Sequence, residues 1–221
     1  MIDTKEIHKY GRTYHVNLLV QNKIGLKNLF KIISYANTTY LYKTPRILRS
    51  KLNELREGIL IGSGCYESEV FIEARSKSEE ELRNIIDFYD YVEIQPKDTY
   101  THLIDQSDFL NELELENSIK KIIECTKEQG KIIVATGDVH YLNKEDKIYR
   151  EIIINQKVPG GGRHPLNRQK ITHIPENHFR TTNEMLEDLW QVQKQFDLTF
   201  NMPIPKNLGE YYGQAFEREG K

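Results

Sequence analysis

Short apolar, β-branched runs alternate along this chain with longer stretches whose apolar residues recur every three or four positions, and that pattern restricts it to an α/β arrangement. "YHVNLLV" (14–20) is strand-like, and "GLKNLFKIISYANTTY" sets Leu26, Leu29, Phe30, Ile33 and Ala36 at helical spacing after it. "PRILRSKLNELREG" predicts a helix capped near Ser50 and stopped at Gly58, before a second strand from Ile59 in "ILIGSG". Ser78 opens an acidic-started helix as its N-cap, and "YVEIQ" from Tyr91 is a third strand. A long helix from Asn111 to Gln129, ended by Gly130, leads to a fourth strand over 131–136. A parallel sheet covered by helices is expected, and in such folds functional groups stand on the loops after the strands' C-terminal ends.

The polar residues at those ends are of a kind. His15 lies in or after the first strand, Cys65 follows the second in "IGSGCYESE", and Glu93 lies on the third. In "KIIVATGDVHYL" the fourth ends with Asp138 and His140 two positions apart, where an extended backbone points both side chains one way. Imidazole, thiolate and carboxylate together suit zinc, manganese or iron rather than calcium. Each residue also has an ordinary use, the histidines as hydrogen-bonded core groups and Cys65 as a small turn residue. No HExxH or paired CxxC motif decides between the two, so spacing leaves both readings open.

Composition narrows the class. With 38% hydrophobic and 29% charged residues the chain is that of a soluble globular protein, and a net charge of −2 gives no overall attraction to nucleic acid or anionic lipid. No apolar run reaches a membrane span, and "MIDTKEIHKYGRTYH" lacks the apolar centre of a secretory signal, so a cytoplasmic protein with no membrane partner is expected. Of the two cysteines, Cys125 lies inside the long helix and reads as core. "PGGGRHP" lacks the Lys-Ser/Thr of a phosphate loop and reads as a surface connection. Lys43, Arg46, Arg49 and Lys51 form a local basic cluster beside the proposed site, with a solvated helix face the alternative for Arg49 and Lys51. Tyr35, Tyr40, Tyr42, Tyr89 and Tyr91 sit within helical or strand periodicity, where packing is the commoner use.

In order along the chain, "YHVNLLVQNKIGLKNLFKIIS", "TPRILRSKLNELREGILIGSGC", "YVEIQP", "VATGDVHYLNKEDKIYREIII", "HPLNR" and "FRTTNEML" resemble the polymerase and histidinol phosphatase (PHP) domain of bacterial DNA polymerase III alpha subunits, most closely the PolC type. The resemblance covers about Gly11 to Trp190. It implies a distorted (β/α)7 barrel with up to three metal ions at one end. Carried over residue by residue, it makes His15, Cys65, Asp138 and His140 metal ligands, with Glu93 and Arg46 lining the site and Arg46 able to hold a phosphate. It implies a divalent metal cofactor, zinc or manganese, weakly held or absent.

The departures set further expectations. PHP domains open with a His-x-His motif, and no two histidines here lie two apart. The chain therefore reads as an incomplete barrel lacking its first strands, the part of a split PHP domain that follows an exonuclease insertion. Residues 1–192 are expected to form the PHP portion and 193–221 a C-terminal tail of separate character. The expected partners are the remainder of the polymerase, meaning its exonuclease and palm domains, DNA through that enzyme, and a second copy through an open sheet edge. Nothing in the chain resembles a palm domain with carboxylates for two magnesium ions, so no polymerisation is expected from it alone. The alternatives are a free-standing metal-dependent phosphoesterase and a non-catalytic interaction module, which metal content separates.

Overall fold

The computed structural model describes residues 12–158, 160–168 and 174–195. Within them the chain runs β1 (Asn17–Val20), α1 (Lys23–Asn37), α2 (Arg49–Glu54), β2 (Ile59–Gly62), α3 (Glu69–Ala74), α4 (Glu79–Ile86), β3 (Tyr91–Ile94), α5 (His102–Asp105), α6 (Glu112–Glu128), β4 (Ile132–Ala135) and α7 (Lys147–Asn155). A two-stranded hairpin of β5 (Lys157–Val158) and β6 (Gly162–Arg163) follows, then α8 (Pro165–Arg168) and α9 (Thr182–Gln195). The hairpin is what the glycine-rich "PGGGRHP" connection forms, with Gly160 and Gly161 at positive φ. The expected tail beyond Gln195 lies outside the described residues.

Local signals explain where the helices begin. The Asn22 side chain accepts from the Ile24 and Gly25 amides to start α1, Ser78 and Glu81 form a reciprocal capping box on α4, and Asn111 accepts from Glu114 to start α6. Gly25 and Gly58 are required by contact: a Cβ on Gly25 would stand 1.8 Å from the Gly58 carbonyl oxygen, and Gly58 itself turns at φ 73°.

The four long strands form one sheet in the order β1-β2-β3-β4. β2, β3 and β4 are parallel, as expected, but β1 runs antiparallel to β2, which corrects the expectation of an all-parallel sheet. The cause is the return path. A single helical crossover would make the next strand parallel, but here α1 is followed by a second pass through 38–58. The chain thus re-enters the sheet where it left it, and the Gln21 amide donates to the Gly58 carbonyl at 2.9 Å. One consequence governs the site. The start of β1, not its end, lies beside the C-terminal ends of β2, β3 and β4.

One face of the sheet is closed by helices. Ile59, Ile61, Val92 and Ile94 point into a core shared with α3, α4 and α6, where Leu82, Ile86, Leu115, Ile119, Ile122 and Ile123 are fully buried. On α6 those residues recur at three and four positions, and Cys125 joins them as the core residue expected. Truncating any of these side chains to alanine costs about 2–5 kcal/mol. The other face carries Asn17, Gly62, Tyr91, Glu93 and Ile132 in register. There the Tyr91 ring lies over Gly62, where a Cβ would meet it at 2.3 Å. Leu19 and Ile132, on the two edge strands of that face, are 52% and 66% exposed.

Candidate metal centre

The loop after β2 closes on the residues before β1. The His15 amide donates to the Glu67 carbonyl at 3.0 Å, His15 bridges Ser68, and the Ser68 amide turns back to the Cys65 carbonyl at 2.9 Å. This clasp brings three side chains together: one donor atom from each of His15, Cys65 and Glu67 lies within 4.8 Å of the other two. Cys65 Sγ is 3.5 Å from His15 Nδ1, and Glu67 stands 2.9 Å from His15 Nε2 on the opposite side of the ring. A carboxylate on Nε2 fixes the hydrogen there, which leaves the Nδ1 lone pair facing sulfur. Two ligands of one tetrahedral zinc, with Zn–S about 2.3 Å and Zn–N about 2.0 Å, stand about 3.5 Å apart. The Cys65–His15 pair therefore has the spacing that a shared ion needs, and Glu67 sits where a carboxylate holds a metal-binding imidazole in place.

As an ion pair, His15 and Glu67 explain little. Their side chains are 64% and 48% exposed, and pairs in that setting contribute about 0–1 kcal/mol. Burial pushes the Cys65 thiol above its ordinary value, with the charges of Asp138 and Glu67 adding to the shift. Bringing a cation among these groups reverses that preference, because it favours thiolate.

Asp138 and His140 approach from the end of β4. They do not belong to the tight group of three, but the Asp138 charge reaches Cys65, Tyr66 and His102. Asp138 takes a left-handed backbone at φ 46°, sparsely populated by non-glycine residues and frequent at functional sites. Its carboxylate accepts from Asn177 Nδ2 at 3.2 Å, and the Asn177 carbonyl accepts from the His140 amide at 2.8 Å. His140 Nδ1 lies 2.7 Å from the Asp138 carbonyl, so that nitrogen carries the hydrogen and Nε2 keeps its lone pair free for a metal.

Glu93 is buried, and its two oxygens accept from Asn17 Nδ2 at 2.6 Å and Thr136 Oγ1 at 3.2 Å, which ties β1, β3 and the end of β4 together across the sheet. The Arg46 guanidinium lies over the Tyr42 ring, 5.5 Å from its centroid.

Two residues near the site had no sequence signal. Glu67 stands in a polar loop, where a glutamate is unremarked. His102, at the start of α5, is 2% exposed and packs edge-on against Tyr66 with ring centroids 4.7 Å apart. Neither ring nitrogen has a well-aligned hydrogen-bond partner among the described residues. Burial lowers its pKa, while the Thr99 backbone and the Asp138 charge oppose the shift.

Residues 2–100 match the PHP domain family. The chain is 48% identical over 180 residues to the PolC-type DNA polymerase III of Bacillus subtilis (strain 168), which covers 81% of this chain and 12% of that protein. It is 45% identical over 183 residues to that of Pediococcus pentosaceus and 47% identical over 176 residues to that of Halalkalibacterium halodurans, covering 83% and 80% of this chain and 12% of each relative. The chain thus spans about an eighth of the length of the curated relatives it matches. It carries a PHP domain, and that domain belongs with the PHP segment of PolC-type DNA polymerase III.

Proposed function

We propose that this chain serves as the PHP part of a replicative DNA polymerase of the PolC type, where it supplies a divalent-metal centre and a structural platform and leaves nucleotide transfer to other domains. The observation that carries the metal reading is the convergence of Cys65 Sγ, His15 Nδ1 and Glu67 at the end of the sheet where Asp138 and His140 also stand. Cys65 and His15 would bind the ion, Asp138 and His140 would complete its shell from the β4 side, and Glu67 would orient His15. When bound, the ion supplies a positive centre that polarises oxygen ligands. In this reading the protein groups hold the imidazole tautomers and keep the thiol at ligand distance from His15.

In this reading the sheet is part of a distorted (β/α)7 barrel whose His-x-His strand has no counterpart in the sequence, and the PHP portion ends near residue 192. The half-exposed edge strands β1 and β4 then offer backbone groups to a neighbour, either another polymerase segment or a second copy. Exonuclease and palm domains and DNA are the partners that follow. Among the described residues no helix is long and apolar enough to cross a membrane, and we place the chain in the cytoplasm.

The test is zinc and manganese binding to the full chain by competition with a chelating indicator. One ion per chain, weakened at least 100-fold by Cys65→Ser, supports the centre. Equal affinity in both proteins refutes it and leaves the non-catalytic interaction module as the better account.

A further inference from the structure

Away from the metal centre, the charge of this chain is unevenly placed. Residues 12–53 hold eight of its 31 Lys/Arg and none of its 33 Asp/Glu, in a chain whose net charge is −2. Three of the eight, Lys23, Lys27 and Lys31, recur every fourth residue on α1, so they form one stripe with a rise of about 6 Å per step. Among the described residues no carboxylate pairs with any of these three, whereas Arg49 and Lys51 are held by Glu69 and Glu54.

The stripe shares one open face of α1 with Leu26, Phe30 and Tyr35. Phe30 is 62% exposed, and Lys51 lies over the Tyr35 ring at 4.9 Å. The open Phe30 ring beside three cations that no described carboxylate pairs suits one class of partner. Single-stranded nucleic acid offers phosphates at regular intervals along an extended backbone and bases free to stack. A duplex hides its bases and leaves Phe30 without a role. A second copy set face to face would bring like charges together, three lysines against three.

We propose that the exposed face of α1 binds single-stranded nucleic acid, with Lys23, Lys27 and Lys31 on successive phosphates and Phe30 under a base. The site is independent of the metal centre and of the role assigned to it.

The experiment is fluorescence anisotropy of a labelled twelve-nucleotide oligothymidylate with the full 221-residue chain across a salt series. Three phosphate contacts on a single strand give a slope of log affinity against log salt of about −2. Replacing Lys23, Lys27 and Lys31 by Gln should flatten that slope toward zero. The same charge change at Lys77, Lys120 and Lys144 should leave it in place. Phe30→Ser should weaken binding by roughly 5- to 150-fold at an unchanged slope, the loss of one stacked base, and Phe30→Tyr should restore it. The α1 positions and Lys144 are exposed, Lys77 and Lys120 are partly exposed, and thermal melts of each variant verify that the fold is kept.

The proposal is overturned if the distant triple variant loses as much affinity as the α1 triple variant. It is equally overturned if Phe30→Ser binds like the parent, if a duplex of the same length binds as tightly, or if polyglutamate or anionic vesicles compete better than the oligonucleotide.

Discussion

The two sides of the metal centre are built differently. His15, Cys65 and Glu67 are locked together by backbone hydrogen bonds between the entry to β1 and the loop after β2, and β2 lies inside the sheet with its core residues almost wholly buried. Asp138 and His140 follow β4, an edge strand with Ile132 and Ala135 exposed and Ile133 and Val134 partly buried, and are held through the neighbouring segment at Asn177. The first side is pre-formed and the second is propped. Ligands whose positions are set before the ion arrives lose little freedom on binding it, so affinity should reside mainly in the first side and adjustability in the second.

The largest effects should come from the first side. Cys65→Ser and His15→Ala each remove a donor from the pre-formed pair and should weaken zinc at least 100-fold in indicator competition, whereas Asp138→Asn or His140→Ala should cost about 10-fold. Equal losses on the two sides would remove the distinction. Next come the residues that hold ligands in place. Glu67→Gln should weaken zinc by about 10-fold by loosening the His15 ring, and Asn177→Ala should do less, because it props only the second side.

A smaller effect, on stability alone, concerns the floor beneath the first side. His102 is buried with its pKa lowered below the ordinary 6.5, so the folded ring stays neutral while the unfolded chain takes up a proton. The stability this protects is present above pH 6.5 and is lost as pH falls below it. Thermal melts at pH 7 and pH 5 should show a smaller acid loss for His102→Phe than for the parent, and an equal loss would mean that the ring is protonated in the fold. The smallest effect is expected at the far edge, where Ile132→Ser should stay within about 0.5 kcal/mol in urea unfolding because the side chain is already in solvent.

Much of this was legible in the sequence, for reasons that also set the limits. β2, β3, β4 and α6 follow from apolar periodicity and their glycine and asparagine boundaries, because both faces of a central strand and one face of a long helix must be apolar to be buried. The direction of β1 was not legible. Strand direction depends on how many passes the connection makes, and the second pass through 38–58 includes only the short α2. Cys65 and His15 stood out as ligand types at strand ends, and the reversal of β1 brings His15 to the ligand end from the opposite chain direction. Glu67 gave no signal because its partner is distant in sequence and glutamates are common in loops. His102 gave none because a histidine in "TYTHLID" looks like an exposed helix start, and only packing against Tyr66 buries it.

The central claim is that one ion shares the Cys65 sulfur and the His15 imidazole. Zinc-edge X-ray absorption on the zinc-loaded full chain tests it most directly, because sulfur and nitrogen scatter at distinct distances. The account predicts one sulfur at about 2.3 Å with imidazole nitrogen at about 2.0 Å, and loss of the sulfur contribution in Cys65→Ser. A shell of nitrogen and oxygen alone in the parent protein would contradict it.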